Sequence, residues 1–298
     1  MNIPFIGRLN SKIFWIQLNW FKKISDDRLS GLFGNKGRLG SYIARLYPLA
    51  LIYLFIYFPK NRYNIYFINI IYIVLSSLLF VIVIYSGERT AIFLFLLTLF
   101  FLTIFNIRQW KLYLIVIFII CSIFFIITKK ETLVKNRVII NTLSQISLSE
   151  NYLPKKIFSQ THEWHYIIAF RMFKDNPFFG QGVNSFRDNC FREEFRIDEK
   201  NSGCSTHPHN IYLQTLAEIG LFGFIFLFSA FIFIFYKMLK IILLRNAKKY
   251  NYNYHLFLLT LSIGLSLYPF IPTGNFFNNW MLLIFSLPIG FLLKKLIK

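Results

Sequence analysis

Seven blocks of almost unbroken apolar sequence divide the chain, at about 41–58, 65–85, 90–107, 112–128, 209–236, 255–271 and 277–293. A helix of ~20 such residues crosses the ~30 Å of hydrocarbon in a bilayer. Lipid offers no partner for a backbone amide, so each block must satisfy its own N–H and C=O groups and is predicted to be helical. Apolar residues run all round each block rather than along one stripe, so its neighbours are lipid or other helices. The pattern therefore predicts an all-α, polytopic transmembrane bundle. A segment 1–40 precedes four helices (41–128), a long polar loop (129–208) follows them, and three helices with a basic tail (209–298) close the chain.

Composition agrees: 56% of the 298 residues are hydrophobic, 20% aromatic and only 15% charged. That leaves too little polar surface for a water-soluble domain of this size. The formal charge of +20 points at first to nucleic acid, but its placement excludes that partner. Basic residues gather in short connections: Lys60 and Arg62, then Arg108 and Lys111, then Lys237, Lys240, Arg245, Lys248 and Lys249, and finally Lys294, Lys295 and Lys298. None of these stretches holds an acidic residue, so the positive-inside rule makes all four cytoplasmic. By parity 86–89, 129–208 and 272–279 are external. Residues 1–40 fall outside by the same parity yet carry seven basic residues. Trp- and Phe-rich 13–21 there suits the interface, and the basic excess leads us to expect that spans preceding this stretch are missing.

The external loop holds nine of the 13 acidic residues together with 12 basic ones. Loops of this length are usually functional. At its end His207 and His209 flank Pro208, just before or at the start of a membrane helix. A helix N-terminus there offers free N–H groups and positive dipole to a phosphate, and a neutral histidine can take a proton from a sugar hydroxyl near pH 7. The plain alternative is an interfacial histidine pair at a helix cap. Glu218 lies within the fifth block, where a carboxylate is functional or paired; it either tunes the histidine or makes a structural hydrogen bond, with Gln214 one turn earlier. His162, Glu163 and His165 lack the spacing of a zincin helix, so no metal site is expected. Cys190 and Cys204, 14 residues apart on the oxidising side, can pair and staple the segment before His209, stabilising it by ~3 kcal/mol.

Several motifs together resemble the O-antigen ligase/polymerase family. His209-Asn210, then nine residues, then Gly220-x-x-Gly223 resembles its signature, and it is the most specific of them. Arg28-Leu29-Ser30-Gly31-Leu32-Phe33-Gly34-Asn35 with Gly40-Ser41-Tyr42 resembles its segment before a span. Ser86-Gly87-Glu88-Arg89-Thr90 resembles its short external turn, and Trp164 to Arg171 followed by Asp175-Asn176-Pro177-Phe178-Phe179-Gly180-Gln181-Gly182-Val183-Asn184 resembles its mid-loop motif. The resemblance runs from about residue 28 to the last span. Family members are longer at the N-terminus, which matches the expectation of missing spans.

The resemblance implies a multi-pass protein of the bacterial inner membrane with a GT-C-like fold and its site on the periplasmic side. It implies a glycosyltransferase that moves a glycan from undecaprenyl diphosphate to a hydroxyl of lipid A core or of another lipid-linked glycan. The reaction is inverting, with no metal or other cofactor. Carried over, His209 is the base, and Arg89, Arg171 and Arg28 bind diphosphate, whose developing charge guanidiniums stabilise bidentately. Asn210, His207, His165, Glu218 and Gln214 support the site. Each arginine has a plainer reading: Arg89 as an ion pair with Glu88, Arg171 on a solvated helix face, Arg28 beside Asp26 and Asp27. His165 equally reads as structural. The rival function is a polyprenyl-linked glycan transporter or flippase, which needs polar residues through the midplane that these spans lack; a further alternative is an inactive fragment.

Overall fold

The computed structural model describes residues 28–34, 36–58, 64–146, 159–197, 203–244 and 254–297, which are helical with no strand among them. Residues 13–21, Asp26, Asp27, Lys60, Arg62, Arg245, Lys248, Lys249 and Lys298 lie outside the described residues. The chain forms two compact units, Met1–Thr142 and Leu143–Lys298.

Among the described residues of the first unit the long helices α1 (Leu39–Tyr57), α2 (Ile65–Tyr85), α3 (Arg89–Phe105) and α4 (Trp110–Lys130) pack on one another. α1 lies against α2 and α3, and α2 against α4. Their polar side chains satisfy one another, as burial in an apolar bundle demands: Tyr47 and Ser76 share a 2.7 Å hydrogen bond, and Ser76 donates to the Tyr72 carbonyl. Large apolar residues such as Phe118 and Leu78 stay exposed, the surface a lipid-facing helix presents. Beyond α4 a short π-helical stretch, Asn136–Ile140, leads toward Thr142.

In the second unit α5 (Gln160–Asp175) and α6 (Ile211–Glu218) pack together, followed by α7 (Gly220–Leu244), α8 (Tyr254–Ser266) and α9 (Asn279–Ile297). A compact core joins Ile168, Ala169 and Met172 of α5 to Phe186, Cys190, Phe195 and Ala217. Cys190 and Cys204 are joined as a disulfide, with Cα atoms 5.4 Å apart.

Among the described residues four helices are long and apolar enough to cross a membrane: Leu39–Tyr57, Ile65–Tyr85, Ile107–Lys130 and Gly220–Leu244. Arg89–Phe105, Tyr254–Ser266 and Asn279–Lys294 are apolar but shorter. Two blocks thus differ from their expected extents. The sixth ends at Ser266, because Pro269 and Pro272 cannot continue a helix. The fifth is broken at Ile219, where Gly220 takes a left-handed φ of 77°, so Glu218 closes a short helix of its own before Gly220–Leu244 begins.

Candidate functional site

The segment before α6 is held from three directions. Asn210 caps the helix, its Oδ1 accepting from the N–H groups of Tyr212 (2.9 Å) and Leu213 (3.1 Å), the bonding that makes Asn a favoured N-cap. Its Nδ2 donates to the Pro269 carbonyl at 2.8 Å. Thr273 N donates to the His209 carbonyl at 2.8 Å, while His207 Nε2 donates to the Thr273 carbonyl at 3.3 Å. Held this way, His209 adopts φ 57°, a left-handed conformation that costs a side-chain-bearing residue ~1–2 kcal/mol. Strain of this kind persists where surrounding structure enforces it, often at functional positions.

The backbone turn aims His209 at α5. Its ring centroid lies 4.2 Å from His207, 5.3 Å from His162 and 5.3 Å from His165. His162 and His165 sit three residues apart and so share a helix face. A carbonyl can only accept, so His165 Nδ1 carries the proton in its 2.6 Å bond to Gly203 O, leaving Nε2 as the lone pair of the neutral ring. Gly203 (φ 61°) has Ile168 and Trp164 where a side chain would stand, which lets the chain toward Cys204 run close against α5. Burial drives the His209 pKa down to about 3, reinforced by His207, His162 and His165 and opposed by the Thr273 carbonyl. Burial likewise lowers His165, against the opposing pull of Gly203. Both rings are therefore neutral at pH 7, with lone pairs available for a hydroxyl proton. An anionic substrate beside His209 would raise its proton affinity toward the working range of a general base.

The hydrogen bonds of Glu218 and Gln214 run to the loop and to each other. The Glu218 carboxylate accepts from Asn184 N (3.0 Å), Phe186 N (3.2 Å) and Gln214 Nε2 (3.1 Å). Gln214 also donates to Asn275 Oδ1 (2.8 Å) and accepts from Phe276 N (2.9 Å). This network clamps 184–186 and 275–276 to α6. Beside it 176–182 docks on the helix break: Gln181 N, Gly182 N and Leu221 N donate to the carbonyls of Ala217, Glu218 and Pro177 at 2.8–2.9 Å.

Arg171, well along α5 from the histidines, donates from Nη1 to the carbonyls of Phe195 (3.4 Å) and Arg196, binding that segment to the helix. Glu88 in the first unit caps α1, accepting from Gly40 N (2.8 Å) and Ser41 N (3.2 Å). Arg89 opens α3 and donates to Thr142 Oγ1 at 3.2 Å. Arg137 Nε donates to the Gly87 carbonyl at 3.2 Å, and the stems of Arg137 and Arg28 both stand within about 3 Å of where a side chain on Gly87 would be. The 86–89 turn is thus ringed by three guanidinium-bearing side chains.

Two participants carried no sequence signal strong enough to single them out, Thr273 behind His209 and Arg137 at the 86–89 turn, while His162 was weighed in the sequence only as a metal ligand beside Glu163 and His165. A shared helix face with His165 was the available hint of its place in the histidine cluster. Among the described residues no three His, Cys, Asp or Glu side chains are arranged to hold a metal ion.

A family model described as O-antigen ligase matches residues 74–228, just over half of the chain. The match spans Arg89, Arg137, Arg171, all four clustered histidines and Gly220 to Gly223. No curated protein and no solved structure matches the chain.

Proposed function

The chain belongs to the O-antigen ligase family, and from that premise we propose that it transfers a glycan from undecaprenyl diphosphate to an acceptor hydroxyl. The acceptor is a sugar of lipid A core or of another lipid-linked glycan, and the site faces the periplasm from the bacterial inner membrane. The acceptor oxygen attacks the anomeric carbon on the face opposite the phosphate, giving inversion. The bond to phosphate breaks, undecaprenyl diphosphate leaves, and His209 takes the acceptor proton without a metal. His207 and Asn210 hold His209 in position, and His165 and His162 complete its surroundings. Phosphate binding falls to Arg28 and Arg89, whose guanidiniums suit a bidentate grip on phosphoryl oxygens. Arg171, engaged with two backbone carbonyls, serves the loop in this reading.

The observation that carries the proposal is His209 itself: a strained, neutral histidine facing three others inside the span of the family match. The test is transfer from purified lipid-linked donor by the His209→Ala variant. Loss of a general base commonly costs ~10²–10⁴-fold in rate, so product should almost vanish while expression and membrane insertion persist. A near-normal product ladder would sink the assignment.

A further inference from the structure

The second unit exposes aromatic side chains where its loop meets its longest helix. Phe178, Phe179 and Phe222 are 57%, 73% and 60% exposed, and the Phe222 ring lies 6.5 Å from Phe178 and 5.7 Å from Phe179. Phe222 is the third residue of α7, a helix long and apolar enough to cross a bilayer. The loop cannot withdraw its phenylalanines from that level. Leu221 N donates to the Pro177 carbonyl at 2.8 Å, and Gly180 and Gly220 bring the two backbones so close that neither leaves room for a Cβ. Phe178 and Phe179 are thus locked at the height of the first turn of α7.

α5 leads into this tip with the matching pattern. It buries Ile168, Ala169 and Met172 but exposes Ile167 (44%) and Phe170 (45%). The Lys174 ammonium sits 5.0 Å from the Phe170 ring centroid, an aromatic capped by a cation as at headgroup level. Asp175, the acidic neighbour, is engaged with Gln181 Nε2 at 2.7 Å.

We propose that Phe178 and Phe179 form a wedge inserted in the lipid bilayer, anchoring the histidine-bearing loop to the membrane surface. Lipid is the occupant because the wedge continues the apolar surface of α7 without a break. The anchor sets the depth of α5 and with it the height at which His162 and His165 meet a substrate. It requires α7 to span the membrane but does not depend on the transfer chemistry.

Nitroxide labelling tests it. Phe179→Cys is made in a Cys121→Ser background that leaves the Cys190–Cys204 pair intact, and the labelled full chain is placed in phosphatidylethanolamine–phosphatidylglycerol vesicles. Phe222→Cys serves as the in-membrane reference and Arg187→Cys, exposed in the loop, as the aqueous one. Relaxation at 179 should be enhanced several-fold more by oxygen than by a water-soluble nickel chelate, as at 222 and opposite to 187. Preference for the nickel chelate at 179 overturns the proposal. So does spin–spin broadening that disappears on dilution with unlabelled chain, which would make a second copy the occupant. Phe178→Cys repeats the reading if the 179 variant does not fold. Because the readout is depth, lipid contact at 179 with no glycan transfer leaves the anchor standing and removes the proposed chemistry, and the converse result does the opposite.

Discussion

Replacing Gly220 by alanine probes the contact on which the loop's placement depends. Gly220 has φ 77°, and its added Cβ would run into the carbonyl of Phe178 and stand 2.7 Å from Phe179 N. Backbone atoms cannot rotate aside as a side chain does, so the loop must lift away from the helix break. The left-handed alanine costs ~1–2 kcal/mol. Losing the hydrogen bonds from Leu221 N to Pro177 O and from Gly182 N to Glu218 O adds about 1 kcal/mol each. The total, about 3–4 kcal/mol, puts the change in the severe class attributable to a special backbone position. Gly182→Ala is the control: φ is again positive, at 101°, but nothing lies within 4 Å of the added Cβ. Thermal unfolding in detergent, with hydrogen exchange across 176–186, should show Gly220→Ala much more damaged and its loop amides unprotected. Equal destabilisation by the two variants would refute the argument, since conformation alone would then explain both.

Other outcomes follow from the same contacts. The His209 pKa is about 3 when folded against ~6.5 unfolded, so the unfolded chain binds more protons. The stabilisation is complete above pH 6.5 and is lost as pH falls from there toward 3. At pH 5 the loss is about 1–2 kcal/mol, and a His209→Gln variant should show a shallower stability–pH slope; an unchanged slope would contradict the burial argument. Glu218→Gln leaves one oxygen to accept what two now accept from Asn184 N, Phe186 N and Gln214, and should destabilise the unit by ~1–3 kcal/mol. Transfer by that variant should recover at low temperature, whereas lost activity at unchanged stability would assign Glu218 to the chemistry. Peptide mapping of non-reduced protein should find Cys190 linked to Cys204, and the double serine variant should unfold earlier by up to ~3 kcal/mol yet remain active in the cold. Free thiols at both positions in purified membranes would remove this prediction.

Much of the architecture was legible in residue order alone. Long uncharged blocks can only be helices in lipid, and the charged stretch between the fourth and fifth blocks can only face water. The pairing of His209-Asn210 with Gly220 was visible too, and the structure supplies its physics. Asn210 caps α6, and Gly220, left-handed, seats the loop on the break that follows. What local pattern could not contain was convergence. His162 and His165 meet His207 and His209 because α5 packs on α6, while Thr273, more than 60 positions from His209, holds its backbone. Arg171 turns to two carbonyls and Glu218 to two amides, choices set by what the fold places beside them. Hydropathy records where each residue prefers to be, a property of the residue and its near neighbours. The partner that each polar group meets depends on a few turns of unusual φ, at His209, Gly180 and Gly220, whose conformations only the packed chain enforces.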